Sequence, residues 1–226
     1  GWSTKNLIRE IMLSRTYQMS SKPTDAATET KDAGNVLLHR MRVRRLEGEA
    51  IRDAILSVSG RFDKKMYGPP VAVHLTSFME GRGRPGRKGP LDGAGRRTIY
   101  QEVRRNFLSP MMLAFDMPTP LSTIGRRTSS NVPAQALIMM NDPFVVQQAQ
   151  LWAKRILGRP SAASTERVMA AYRTAFGRMP NADEQQAAET FLATQAKAHG
   201  EAKPGEKAWA DFCHVLFNVK EFIFLN

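Results

Sequence analysis

The chain has 226 residues, a formal net charge of +12 and a hydrophobic content of 42%. This length and composition predict a folded chain of one or two domains with a buried core. No stretch approaches the roughly 18 continuous apolar residues that a membrane helix needs, so we expect no membrane span in this chain. The single cysteine, Cys213, excludes an intrachain disulfide, a cysteine-rich zinc site and a Cys-x-x-Cys-His haem attachment.

The positive charge is concentrated in the middle of the chain. Residues 40–127 contain 18 Lys and Arg against 8 Asp and Glu, a balance of +10, whereas the remainder has 15 against 13. Arginine supplies 15 of the 18 basic residues in this segment. Because a planar guanidinium group binds carboxylates, phosphates and sulfates through paired hydrogen bonds, this regional excess predicts directed contacts with anionic groups.

The first elements in chain order are a helix, a loop and a second helix. Ser3 is a candidate N-cap with apolar residues at helical spacing behind it, which predicts a helix that reaches residues 17–19. Residues 20–34 are polar and are predicted to form a loop. A second apolar stripe predicts an amphipathic helix over residues 46–58 that ends at Gly60.

The second helix contains arginines beside carboxylates. At helical spacing, Arg45 lies one turn from Glu49, and Glu49 lies three residues from Arg52, on the face away from the apolar stripe. This pattern predicts that Arg45 and Arg52 are structural residues tied into a salt-bridge network. Three more arginines have no such local partner and are expected to face solvent or another segment: Arg40, Arg42 and Arg44.

Residues 61–133 are predicted to form an irregular insert rich in arginine and glycine. A segment of this length without regular structure is usually functional or disordered. Thr98-Ile99-Tyr100 is compatible with β-structure and predicts a short strand or hairpin. The run GRGRPGRKG (81–89) resembles an RG-type nucleic-acid segment, but no aromatic residue is interleaved for base stacking, so a flexible basic loop is the alternative.

Residues 134–226 are predicted to form a helical C-terminal half. Asp142-Pro143 supplies an N-cap and a first-turn proline, and Asn181 with Glu184 resembles a capping box. Apolar stripes at helical spacing follow both signals. The fold class is therefore mainly α: a single helical domain over residues 1–226, with a long Gly/Arg-rich irregular segment and a short strand or hairpin.

No motif in the chain specifies a reaction. The histidines share no metal-ligand spacing, no serine lies in Gly-x-Ser-x-Gly, and a phosphate-binding P-loop is absent from the sequence. We therefore assign no catalytic residue, no cofactor and no metal site in this chain. The candidate contacts with an anion or a partner are seven arginines of the insert and one tyrosine: Arg82, Arg84, Arg87, Arg96, Arg97, Tyr100, Arg104 and Arg105.

Several long runs resemble one family and stand in its order. They are WSTKNLIREIMLSRTYQMS, RRLEGEAIRDAILSVSG, GRRTIYQEVRRN with FDMP, NVPAQALIMMNDPFV and AWADFCHVLFNVKEFIFLN. Together they resemble the PSD1 domain of planctomycete-type proteins, a domain of unknown function, over essentially all 226 residues. The resemblance implies the C-terminal part of a larger secreted or envelope-associated protein, with a cytochrome-c-like haem domain upstream. The start at Gly1, without Met or a leader, agrees with that expectation.

Three functions follow as hypotheses. In the first, the chain is a non-catalytic module of the periplasm or cell envelope, and its arginine-rich centre docks on upstream domains of the same polypeptide or on an anionic ligand such as an acidic polysaccharide. The second is a hydrolytic or carbohydrate-active module for acidic or sulfated polymers, with carboxylates converging near Arg97, Tyr100 and Arg104. Nucleic-acid binding ranks last, because acids accompany the arginines. Haem is expected only in an upstream domain.

Overall fold

The computed structural model describes residues 1–23, 25–121, 123–158 and 163–225. These residues are mainly helical with one small antiparallel sheet, which confirms the predicted fold class. Some positions inside the ranges predicted above lie outside the described residues: 24, 122, 159–162 and 226.

The chain divides into two compact units, and the first comprises Gly1–Leu46 with Ile223–Asn226. It contains α1 (Thr4–Leu13), α2 (Ala26–Lys31) and an antiparallel pair formed by β1 (Arg44–Arg45) and β2 (Phe224–Leu225). The helix α2 lies in the predicted loop, and its N-cap is the Asp25 carboxylate, which accepts a hydrogen bond from the Thr28 N–H at 2.6 Å. The sequence prediction missed this short helix because it has no apolar stripe.

The helix α1 is shorter than predicted. Its N-cap is Ser3, as expected, but the helix ends at Leu13 instead of reaching residues 17–19. The Ser14 hydroxyl donates to the carbonyl oxygen of Ile11 at 2.7 Å and accepts from the Tyr17 N–H at 3.2 Å. Serine hydrogen bonds of this kind compete with the helical pattern and turn the chain away from the helix axis.

The second unit, Glu47–Phe222, contains most of the helical structure. The remaining helices are, in chain order, α3 (Gly48–Ser59), α4 (Pro110–Ala114), α5 (Pro133–Asn141), α6 (Pro143–Leu157), α7 (Ser164–Phe176), α8 (Ala182–Ala198), α9 (Glu206–Asn218) and α10 (Lys220–Ile223). Among the described helices, none combines the length and the apolar character that crossing a membrane requires. Gly60 ends α3 with a left-handed φ of 83°, as the sequence predicted.

The core of the second unit is built around α6 and α9. The rings of Trp152 and Phe217 lie with their centroids 5.1 Å apart, and both side chains are buried. Cys213 is fully buried in α9, and burial raises the pKa of its thiol. This cysteine therefore acts as a small hydrophobic residue of the core.

The predicted strand at Thr98–Tyr100 is a 3₁₀ turn instead, and a second such turn covers Gly93–Gly95. The helix α4 lies within the stretch that was predicted to be irregular. Isolated parallel bridges join Asp63 to Arg96 and Val71 to Gln101, so the chain segments of the insert run beside one another. Thr98 bends the chain because it binds a carboxylate of α3, as described below.

A buried hydrogen bond joins α3 to α6. The Ser59 hydroxyl donates to the side-chain oxygen of Gln148 at 2.7 Å, and Gln148 is 0% exposed. Arg155 of α6 also donates to the carbonyl oxygen of Val58 at 3.0 Å. These contacts fix the end of α3 on the core and so position the start of the insert.

We expect the substitution Ser59→Ala to lower the free energy of unfolding by about 1–3 kcal/mol, because it leaves the buried oxygen of Gln148 without a donor. Urea unfolding followed by circular dichroism measures this change. Ser57, an exposed serine of the same helix, supplies the control, and Ser57→Ala should stay within about 0.5 kcal/mol of the wild type. Equal losses in the two variants would show that the hydrogen bond is not the cause.

An arginine at the end of α7 binds two carboxylates. Arg178 Nη2 lies 2.7 Å from the Glu184 carboxylate and 2.7 Å from the Glu221 carboxylate. The hydrogen bond from Arg178 lowers the pKa of Glu184 from 4.5 to about 2. Because this pKa is depressed in the folded state, the stabilisation from Glu184 is fully present above its unfolded pKa and is lost as the pH falls through its folded pKa.

The wild type should therefore be more stable than Glu184→Gln near pH 6, and the difference should shrink between about pH 4.5 and pH 2. Thermal unfolding of both proteins across this pH range measures the difference. A difference that does not change with pH would contradict the assignment of the pKa shift to the ion pair with Arg178.

Candidate functional site

The arginine-rich centre is organised around one buried guanidinium group, that of Arg52 in α3. Its side chain is buried, and Nη2 donates to the carbonyl oxygen of Asp92 at 2.7 Å. Its Nη1 donates to the carbonyl oxygen of Arg96 at 3.0 Å and to the Thr98 hydroxyl at 3.1 Å. When the Gln101 amide is oriented with its oxygen towards Arg52, that oxygen accepts from Nη2 at 3.0 Å and from Nε at 3.3 Å. These contacts use every N–H of the guanidinium group.

The electrostatics of Arg52 follow from its burial. Burial lowers the pKa of the Arg52 guanidinium to about 10, while the charges of Asp53 and Asp92 act in the opposite direction. The group therefore stays charged near neutral pH. The Asp53 carboxylate lies 3.6 Å from Nη1 and supplies part of the counter-charge. Arg52 is thus a structural residue, because it has no N–H left for a ligand.

The partners of Arg52 differ from those that helical spacing predicted. Glu49, three residues before Arg52, binds Arg127 instead, with oxygen–nitrogen distances of 2.8 and 2.9 Å. Arg45 lies in β1, before α3 begins, so helical spacing from Arg45 to Glu49 does not apply. The structural role of Arg52 was predicted correctly, but its acceptors come from about 40 residues further along the chain.

The same carboxylate that faces Arg52 also shapes the turn at Thr98. Asp53 Oδ1 accepts from the Thr98 N–H at 2.8 Å and from the Thr98 hydroxyl at 2.7 Å. A strand would direct the Thr98 N–H to a neighbouring strand, whereas here a side chain of α3 uses it. This contact, together with Arg52, holds residues 92–101 against α3.

Two further arginines fix the insert to itself. Arg61 donates to Asp92 Oδ2 from Nε at 3.1 Å and from Nη2 at 2.8 Å. Arg96 is 8% exposed, donates to the carbonyl oxygen of Tyr67 at 2.8 Å and lies 4.3 Å from the centroid of the Tyr100 ring. The Tyr100 hydroxyl accepts from the Tyr67 N–H at 2.9 Å. Of the predicted contact residues, Arg96 and Tyr100 therefore serve the interior of the insert.

Two glycines permit this close packing. A Cβ atom at Gly95 would lie 2.1 Å from the carbonyl oxygen of Arg61, and the φ of +73° is unfavourable for other residues. At Gly89, a Cβ atom would lie 1.8 Å from the carbonyl oxygen of Ala72. Both positions exclude a side chain, so these glycines bring backbone segments together and do not simply loosen the loop.

The other predicted contact residues are more exposed. Three of them form ion pairs with nearby carboxylates: Arg84 with Glu80 at 2.9 Å, Arg97 with Asp53 at 3.7 Å and Arg104 with Glu102 at 2.6 Å. The last three, Arg82, Arg87 and Arg105, are exposed and make no ion pair within the described part of the chain. The structure thus separates the predicted cations into internal, paired and exposed groups.

An acidic groove of about 480 Å³ lies beside α3. Its walls include four carboxylates and two arginines: Glu47, Glu49, Asp53, Glu102, Arg97 and Arg127. Hydrogen bonds from Arg127 lower the pKa of Glu49, so this carboxyl group is a poor proton donor near neutral pH. Within the described ranges, no group of three or more His, Cys, Asp or Glu side chains could hold a metal ion.

A larger cavity of about 820 Å³ lies between the insert, the start of α4 and the junction of α5 with α6. We call it the apolar cavity, and its apolar lining includes Phe78, Met79, Leu91, Met111, Ile138 and Phe144. Its volume lies within the usual range for ligand-binding cavities. The sequence prediction missed it, since its walls come from separate segments that share no motif.

Two polar side chains of the apolar cavity are held by local hydrogen bonds. His74 Nδ1 lies 3.0 Å from the carbonyl oxygen of Gly89, and Asp142 caps α6 by accepting from the Phe144 N–H at 2.8 Å. Burial raises the pKa of Asp142. The sequence identified Asp142 as an N-cap but did not indicate that it faces a cavity.

Comparison with known proteins identifies a family. A family model described as PSD1, protein of unknown function (DUF1553), matches residues 1–192, so the resemblance seen in residues 208–226 lies outside the matched range. No curated protein and no solved structure matches the chain.

We expect the substitution Arg52→Met to lower the free energy of unfolding by about 3–5 kcal/mol, because it removes a buried charge and leaves its acceptors unsatisfied. Chemical unfolding measures the loss. The matched control is Arg105→Met at an exposed position, which should change stability by no more than about 0.5 kcal/mol. A small effect of Arg52→Met would contradict the structural role of this side chain.

Proposed function

The chain belongs to the PSD1 family of proteins of unknown function, and from that premise we propose that it is a non-catalytic binding module for an anionic partner. The binding surface is formed by exposed cations within residues 81–105. The observation that carries this proposal is that the arginines fall into two groups with different contacts. Internal guanidinium groups hold the insert in place, and the exposed ones stay available.

The available cations are Arg82, Arg87, Lys88 and Arg105. All four are exposed, and none has an ion-pair partner in the part of the chain that the structure describes. A surface ion pair contributes little alone, about 0–1 kcal/mol, but several that act together on a polyanion give strong, salt-dependent binding. Arg52 and Arg61 hold Asp92, and Arg52 also holds Arg96 and Thr98, so the chain between the basic loop and Arg105 is fixed before a partner binds.

The hydrolytic alternative has less support from this geometry. The carboxylates beside Arg97 are already engaged, Asp53 by the Thr98 hydroxyl and N–H and Glu102 by Arg104. General acid–base hydrolysis of a polymer needs a carboxyl group that is free to transfer protons near the substrate. A binding role makes no such demand on these side chains.

We also propose that the module works outside the cytoplasm, in the periplasm or cell envelope. In this proposal its partner is an upstream domain of the same polypeptide or an acidic polysaccharide, and haem is held in an upstream cytochrome-c-like domain. The support for this part is the family resemblance described from the sequence.

A charge-reversal triple, Arg82→Glu with Arg87→Glu and Arg105→Glu, should weaken binding to dextran sulfate by about tenfold or more at low salt, because the local counter-charge is lost. Isothermal titration calorimetry at two salt concentrations measures this. The control triple, Lys197→Glu with Lys203→Glu and Lys207→Glu, has the same net charge change at exposed positions elsewhere.

The control triple should retain wild-type binding. Equal losses in both triples would assign binding to net charge alone, and no salt-sensitive binding by the wild type would refute the proposal. Duplex DNA is the comparison ligand, and DNA binding that is much tighter than dextran sulfate binding would favour the nucleic-acid hypothesis instead.

A further inference from the structure

We propose that the apolar cavity is the docking site for an acidic protein segment that carries a large apolar anchor side chain. This inference rests on the proposed function, and it names the class of the anionic partner. Four observations support it: the apolar lining of the cavity, the charge of the loop at its rim, the exposed Phe78 side chain and the engagement of three polar side chains of the lining within the protein.

The lining of the cavity fits an apolar anchor. Residues from the insert, from the start of α4 and from the α5–α6 junction surround about 820 Å³. Met79 and Met111 are among them, and methionine side chains adapt to the shape of an inserted group. An aromatic or leucine side chain fits this space, and such anchors dominate binding at protein interfaces.

The loop at the rim of the cavity is basic. Lys88 lines the cavity, and residues 80–87 join it in sequence to Met79, which also lines the cavity. This short stretch contains Arg82, Arg84 and Arg87, and its one acid, Glu80, pairs with Arg84. Acidic residues beside an inserted anchor would therefore meet Lys88, and Arg82 and Arg87 lie in the same basic loop. This charge complementarity selects an acidic segment over a neutral or basic one.

An exposed aromatic side chain lies at the cavity. Phe78 lines the cavity and is 93% exposed, which is unusual for a phenylalanine. Exposed apolar surface bordered by charge is typical of a protein-binding site.

Three polar side chains of the lining, those of Arg52, His74 and Asp142, are already engaged within the protein. Arg52 also lines the cavity, but its guanidinium group is fully engaged. His74 binds the carbonyl oxygen of Gly89, and Asp142 caps α6. The interior therefore receives the apolar anchor, while the acidic residues of the partner stay at the rim. A polysaccharide supplies no such anchor.

The test uses a fluorescent synthetic peptide with one Trp-Leu pair between two runs of glutamate, and a second peptide in which alanine replaces the tryptophan. Fluorescence anisotropy should show that the tryptophan peptide binds with an affinity about tenfold higher than that of the alanine peptide, because only the first has the anchor.

The cavity-filling variant Ile138→Trp should remove this difference in affinity. Ala136→Trp, at an exposed position of α5 outside the lining, is the control and should keep it.

If Ile138→Trp fails to fold by circular dichroism, Ser77→Trp at an exposed lining position takes its place. Equal affinities for the two peptides would overturn the cavity proposal, and so would an unchanged difference in the cavity-filling variant. A third outcome would also overturn it: the wild type binds phosphatidylglycerol vesicles but neither peptide, and the cavity-filling variant loses the vesicle binding. The cavity-filling variant should still bind dextran sulfate. Dextran sulfate binding by the charge-reversal triple therefore tests the proposed function independently of the cavity proposal.

Discussion

The order of the central segment depends on the buried guanidinium group of Arg52. One side chain on α3 reaches the carbonyl oxygens of Asp92 and Arg96 and the hydroxyl of Thr98, so it holds three points of an otherwise irregular stretch. A buried charge of this kind is tolerated only where hydrogen bonds and counter-charges compensate its lost hydration. Asp53 contributes on both counts, because it faces Arg52 and also binds Thr98.

The abundance of arginine therefore has two physical causes. Some guanidinium groups hold the insert in place where it lacks regular secondary structure. They can do so because a planar group with five N–H donors binds several main-chain oxygens at once. Others remain exposed on the surface, among them Arg82, Arg87 and Arg105. Close backbone contacts at Gly89 and Gly95 bring these features together, since a side chain at either position would push the segments apart. A docking site for an acidic partner requires a stably folded segment that presents unpaired cations on its surface.

The helices could be predicted from the sequence because their signals are local. The apolar stripe before Gly60, the proline after Asp142 and the Asn181–Glu184 box all mark helices that the structure contains. The insert could not be predicted in the same way. Two of the four acceptors of Arg52 are main-chain carbonyl oxygens, which every residue has, so no side-chain pattern identifies them. At Thr98, a long-range contact with Asp53 overrode the β-propensity. The apolar cavity depends equally on distant segments.

Hydrogen–deuterium exchange of the wild-type chain, read by mass spectrometry, tests most directly whether the segment around Arg52 is fixed. Our account predicts that the amides of residues 93–102 exchange at rates close to those of α3, because several of them donate to oxygens of the insert or of α3. Exchange at the rate of an unstructured peptide would contradict it, since the contacts of Arg52 and Asp53 would then not hold this stretch against α3.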